Sequence, residues 1–141
     1  MQKRIPIEPD GGEPGGVAAI WVGIDEVVPW EKNPRKNDSA VDGVAKSIQR
    51  FGFGAPILAR LADGVVIAGH TRLKAAKKLG LDKVPVRYLN VDPAEAHALA
   101  LADNRLGEIA EWDDAVLADV LRELAEAGVS VDGLEIGRAH V

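Results

Sequence analysis

Four consecutive residues, Gly69-His70-Thr71-Arg72, join a run of small or β-branched uncharged residues, Val65 to Ala68, to Leu73, Ala76 and Leu79 at helical spacing. This is the pattern of a covered strand that turns at a glycine directly into a helix. The first N–H groups of a helix have no intrahelical partner, and together with the helix dipole they attract anions. Thr71 adds a hydroxyl donor, and Arg72 a planar fork that matches a phosphate. The chemistry this spacing supports is a phosphate cradle. The same residues also fit an ordinary strand-to-helix turn with a solvated basic face, because the pattern is looser than a full P-loop. A second polar group, Asp103-Asn104-Arg105, ends the nearly wholly apolar run from His97 to Ala102. A helix that apolar is expected to be buried, with its polar end facing a cleft or a neighbouring element.

Other chemistries are excluded by composition. The 141 residues hold no cysteine, which removes disulfides, thiolate zinc sites and cysteine nucleophiles together. Three scattered histidines, His70, His97 and His140, do not make a metal site. No apolar run is long enough to span a bilayer and no signal peptide is visible, so no membrane association and a cytoplasmic location are expected. The net charge of -5 hides an asymmetry: residues 32–87 hold 12 Lys+Arg against 4 Asp+Glu (+8), and residues 88–141 hold 3 against 12 (-9). The block that contains the cradle therefore carries the positive field, which suits a nucleotide or nucleic acid. Packing of the acidic C-terminal helices against the basic half would neutralise it instead.

The elements that must position these residues read as follows. Residues 1–17, with a Gly- and Pro-rich run, form a flexible N-terminal tail. Ala18 to Val22 is a first strand. Asn33-Pro34-Arg35 is a rigid loop from which Arg35 and Lys36 can reach an anion, and the same residues fit an ordinary exposed basic loop equally well. Ser39 or Asp38 caps an amphipathic helix with Val41, Val44, Ala45, Ile48 and Phe51 on one face. Pro56 to Leu61 and Val65 to Ala68 form a hairpin around Ala62-Asp63-Gly64. The helix at 70–79 follows, stopped by Gly80. Val84 to Leu89 is a further strand, whose Pro85 favours a strand start or an edge. Asp92-Pro93 caps a helix to about Arg105. Asp113 caps a last helix with Val116, Leu117, Val120, Leu121 and Leu124 on one face. This gives three parts: the tail at 1–17, a domain at 18–112, and a C-terminal helix and tail at 113–141.

In this order the motifs resemble the N-terminal domain of ParB-type proteins, in the ParB/sulfiredoxin superfamily. Asn33-Pro34-Arg35 resembles the family's Asn-Pro-Arg type loop. Ser47-Ile48, Phe51-Gly52 and Pro56-Ile57 resemble its helix, glycine turn and strand. Gly69-His70-Thr71-Arg72 with Ala75-Ala76 and Leu79-Gly80 resembles its Gly-Glu-Arg-Arg box. The resemblance covers roughly residues 19–112. It implies an α+β fold, a small mixed sheet with packed helices, that binds a nucleoside triphosphate, CTP or ATP, with Mg2+. Carried over, Gly69, His70, Thr71 and Arg72 form the nucleotide-binding box, and Arg35 lies near the base and the DNA side. Asp103 and Asn104 stand where a Glu-Asn pair holds the metal, and both are hard donors suited to magnesium.

His70 replaces the box's glutamate, the residue tied to hydrolysis, so a slow Mg-dependent NTPase is one reading and His70 a catalytic candidate. Sulfiredoxin activity is excluded for want of a cysteine. The Gly-His-Thr-Arg variant with Ala102-Asp103-Asn104-Arg105-Leu106 looks most like a phage and mobile-element branch, commonly labelled ParB-like nucleases, that precedes or is fused to DNA methyltransferases. The implied function is a nucleotide-binding, CTP-type module of a DNA-directed system. Its implied partners are a nucleoside triphosphate, DNA, a methyltransferase and a second copy of the chain in a homodimer. The alternatives are a DNA nuclease with Asp103 as catalytic candidate, and a degenerate DNA- or protein-binding domain.

Overall fold

The computed structural model describes residues 18–33 and 38–134. The tail expected at 1–17, and Arg35 and Lys36 of the rigid loop, lie outside the described residues.

Four strands, β1 (Ile20–Gly23), β2 (Ile57–Arg60), β3 (Val66–Ala68) and β4 (Lys83–Leu89), form one sheet in the order β1-β4-β2-β3. β2 and β3 are the expected antiparallel hairpin. β4 returns between β1 and β2, antiparallel to the first and parallel to the second, so the sheet is mixed. The helices are α1 (Val41–Phe51), α2 (His70–Lys78), α3 (Pro93–Ile109) and α4 (Asp114–Glu126).

Side chains alternate between the two faces of a strand, and here each face has its own helices. Ile57, Ala59, Val66, Val84 and Val86 point to one side and pack with Leu73 and Ala76 of α2. Leu58, Ile67 and Leu89 point to the other, where Ala96 and Ala100 of α3 meet them. α1 packs along α2. The two are tied by ion pairs from Lys74 to Asp38 and from Lys78 to Asp42, and the latter holds the Asp42 carboxyl below its ordinary range.

Several sequence expectations change. Residues 38–40 form a 3-10 turn that runs into α1, and Ala40 precedes α1 with no side-chain cap, so neither Ser39 nor Asp38 acts as expected. Phe51 is exposed, although it shares the apolar spacing of α1. β4 is interior, yet Pro85 is accommodated: it faces Trp21 of β1, while pairing with β2 starts only at Val86. Proline there has a strand on one side only, which meets the rule that keeps it off doubly paired positions. α3 continues to Ile109, which puts Asp103 and Asn104 inside the helix rather than at its end. Nor is α3 enclosed: Ala96 and Ala100 are buried, whereas Leu99, Leu101 and Leu106 are exposed. One sheet face covers one stripe of a helix, and the leucines lie off that stripe. On α4 only Leu117 is fully buried, and Val116 and Val120 are exposed. Beyond α4, the Ser130 carbonyl accepts a hydrogen bond from Arg50 Nη1, which brings the C-terminal segment back to α1.

Candidate functional site

Gly69 sets the start of α2 by conformation and by space. Its φ of 99° is left-handed, and a Cβ there would stand 3.2 Å from Ile57 Cα and 3.3 Å from Ile57 Cγ1. Only glycine lets the chain leave β3 so close to β2. As the residue before α2 it offers no side-chain cap, and the first turn carries no acidic residue. The N–H groups and the positive end of α2 are therefore left to whatever occupies the space before them.

That space is a cavity of about 430 Å3. Gly69, His70, Thr71 and Arg72 line one wall, and Asp103 and Asn104 of α3 line another. Six residues chosen from sequence, from segments about thirty positions apart, thus share one cavity. The remaining wall uses residues that the sequence marks as helix, glycine turn and loop rather than as ligand contacts. It comes from Val44, Ser47 and Ile48 on α1, from Gly52-Phe53-Gly54 after it, and from Asn33. The signal for it was the doubled glycine around Phe53, with Gly52 at a φ of 82°, where backbone can approach a ligand closely.

His70 is held by the chain rather than by a carboxylate. Its Nε2 accepts a hydrogen bond from the Trp30 N–H at 3.3 Å. Burial, with the Lys74 ammonium as a second cause, pulls His70 below its ordinary value of 6.5. A neutral ring with Nε2 as acceptor and the proton on Nδ1 agrees with both observations. Trp30 also accepts a hydrogen bond at its carbonyl from Asn33 N–H at 3.1 Å. Its indole stacks on His97 of α3, with ring centroids 4.5 Å apart and planes 11° from parallel.

Chemically, the arrangement offers helix N–H groups, a hydroxyl and a guanidinium on one side of the cavity. A carboxylate and an amide stand on the other. The first set matches phosphate oxygens, and the second is a pair of hard oxygen donors of the kind magnesium takes. Among the described residues no group of three His, Cys, Asp or Glu side chains converges, and no helix is long and apolar enough to cross a membrane.

The model of the ParB N-terminal domain matches residues 15–105. A probable plasmid-partitioning protein ParB of Thermus thermophilus is 38% identical over 73 residues, which cover 50% of this chain and 25% of that protein. A nucleoid occlusion protein of Bacillus cytotoxicus is 33% identical over 107 residues, 72% of this chain and 37% of that one. The chain thus spans between a quarter and about two fifths of the length of these curated relatives. Among solved structures, the C-terminally truncated chromosome-partitioning protein ParB from Caulobacter crescentus, complexed with CTP-gamma-S, superimposes with a TM-score of 0.63 at 22% identity, covering 82% of this chain and 74% of that one. The same protein complexed to the centromeric parS site gives 0.52 at 20% identity, covering 82% and 67%. Sulfiredoxin from Arabidopsis thaliana gives 0.50 at 21% identity, covering 57% and 94%. At these identities the structures share the fold.

Proposed function

The chain belongs to the ParB N-terminal domain family, and from that membership we propose that it is a nucleoside-triphosphate-binding module, of CTP type, in a DNA-directed system. The observation that carries this reading is the cavity at the start of α2, where Gly69, Thr71 and Arg72 meet Asp103 and Asn104 across one space. Support for CTP comes from a ParB of the same fold solved with CTP-gamma-S. Support for a DNA-directed role comes from relatives named for plasmid partitioning and nucleoid occlusion, and from the parS-bound ParB.

The N–H groups at the α2 start and the Thr71 hydroxyl donate to phosphate oxygens. Arg72 adds charge-assisted hydrogen bonds, stronger than neutral ones. Asp103 and Asn104 would hold magnesium, whose charge offsets that of the triphosphate when bound. His70, neutral and turned to the Trp30 amide, lacks the carboxylate with which a box glutamate would take a proton from water, so the reading is binding with slow turnover at most.

Calorimetric titration with CTP, ATP and GTP, with and without magnesium, tests the reading. Saturable binding of one nucleotide, tightened by the metal, is expected. No binding of any of them overturns it.

A further inference from the structure

α3 carries two of the candidate ligands, but little apolar surface holds it down. Among its described side chains the buried ones are two alanines, Ala96 and Ala100, on a helix of 17 residues. Alanine buries only a methyl group, so the seat of α3 on the sheet is shallow. What adds to it is the stack of His97 on Trp30. Trp30 in turn is fixed from three sides. Its N–H donates to His70 at the start of α2, its carbonyl accepts from Asn33, and its ring packs in the cluster formed by Ile67, Leu89 and the two alanines. Asn104 stands seven residues after His97, about two helical turns, and therefore on the same side of α3. Trp30 thus contacts both His70 at the start of α2 and His97 on α3.

We infer that Trp30 is a positioning residue of this site: its main chain holds His70 and Asn33, which line two of its walls, and its indole holds α3, which brings Asp103 and Asn104 to the third. Trp30 is not among the residues that line the cavity. It sets the distance across which phosphate donors and metal donors act together. The inference rests on the nucleotide-binding reading.

Two measurements on the same variants separate the inference from that reading. The first needs no nucleotide: hydrogen exchange across residues 93–109 of the free chain. Trp30→Ala and, separately, His97→Ala are expected to speed exchange at Asp103 and Asn104, by about three- to tenfold, the range of an aromatic pair. The second is nucleotide titration with and without magnesium. Both variants are expected to lose affinity mainly in the magnesium arm, and Trp30→Phe, which keeps a ring to stack, is expected to recover most of it. His97 is exposed, so His97→Ala reports even where Trp30→Ala does not fold. Unchanged exchange at Asp103 and Asn104 in His97→Ala overturns the inference. So does equal loss of affinity with and without the metal, the result of a merely structural role. A wild-type chain that binds no nucleotide overturns the binding reading instead, while the exchange data still decide whether Trp30 seats α3.

Discussion

The main-chain N–H of Trp30 donates to Nε2 of His70 at 3.3 Å, a hydrogen bond across 40 positions of sequence that requires an unprotonated acceptor. Burial and Lys74 put His70 below its ordinary 6.5 in the folded chain, so near that pH the unfolded chain binds more protons than the folded one. Stability from this group is present above pH 6.5 and is lost as pH falls through the folded value. We expect the melting temperature of wild type to drop more steeply than that of His70→Gln between about pH 7.5 and pH 5, because glutamine offers an acceptor that does not titrate there. Parallel curves for the two proteins would contradict it.

Arg72 sits on the wall that Gly69 and Thr71 share. Removing a charge-assisted phosphate contact costs about 1.5–3 kcal/mol, so Arg72→Ala is expected to weaken triphosphate binding by roughly ten- to a hundredfold, with the folded state intact. Calorimetry and a melting curve on the same sample check both halves. Arg72→Lys restores charge but not the fork, and only part of the loss is expected to return.

Asn104 of α3 and Arg72 of α2 line the same cavity. For Asn104→Ala the expected signature is selective: the gain in affinity that magnesium brings shrinks, while metal-free binding changes little. Equal losses in both arms would remove the metal role from Asn104. Nucleotide titrations over a magnesium series give the answer.

Gly69→Ala combines a left-handed φ of 99° with a Cβ placed 3.2 Å from Ile57 Cα. Backbone strain of this kind costs about 1–3 kcal/mol, and the contact with Ile57, a fully buried residue of β2, adds to it. Urea unfolding is expected to show a lowered midpoint, equivalent to a loss of unfolding free energy of at least that size. Gly52→Ala, with a φ of 82° but open space around the new Cβ, is expected to cost less.

Much of this architecture is legible in the residues, and the exceptions have physical causes. Asp92 and Asp113 are caps as read, with their carboxylates accepting from Glu95 N–H at 2.8 Å and Val116 N–H at 3.1 Å. Local chemistry of that kind is written in three or four neighbouring positions. Whether the apolar run His97–Ala102 is enclosed depends on how much sheet lies beneath it, which no local pattern states. The polar end of an apolar run marks Asp103 and Asn104, but the tie that seats them pairs Trp30 with His97 across 67 positions, and neither residue stands out in a periodic pattern. The α1 wall was missed because Val44 and Ile48 serve the helix's apolar face and the cavity with the same side chains.

A last consequence concerns assembly. Val28, two residues before Trp30, donates its N–H to Gly64 O at 2.9 Å and accepts at its carbonyl from Val66 N–H at 2.8 Å. β3 is the outer strand on that side of the sheet, and outer strands are templates on which a foreign strand can add. By occupying the Gly64 carbonyl and the Val66 N–H, this short bridge covers that edge two residues before Ala68 and Gly69, which line the cavity. A segment seeking to extend the sheet at β3 would first have to displace Val28 and, with it, the loop that carries Trp30. The two backbone hydrogen bonds that occupy this edge therefore also anchor the segment that leads to Trp30.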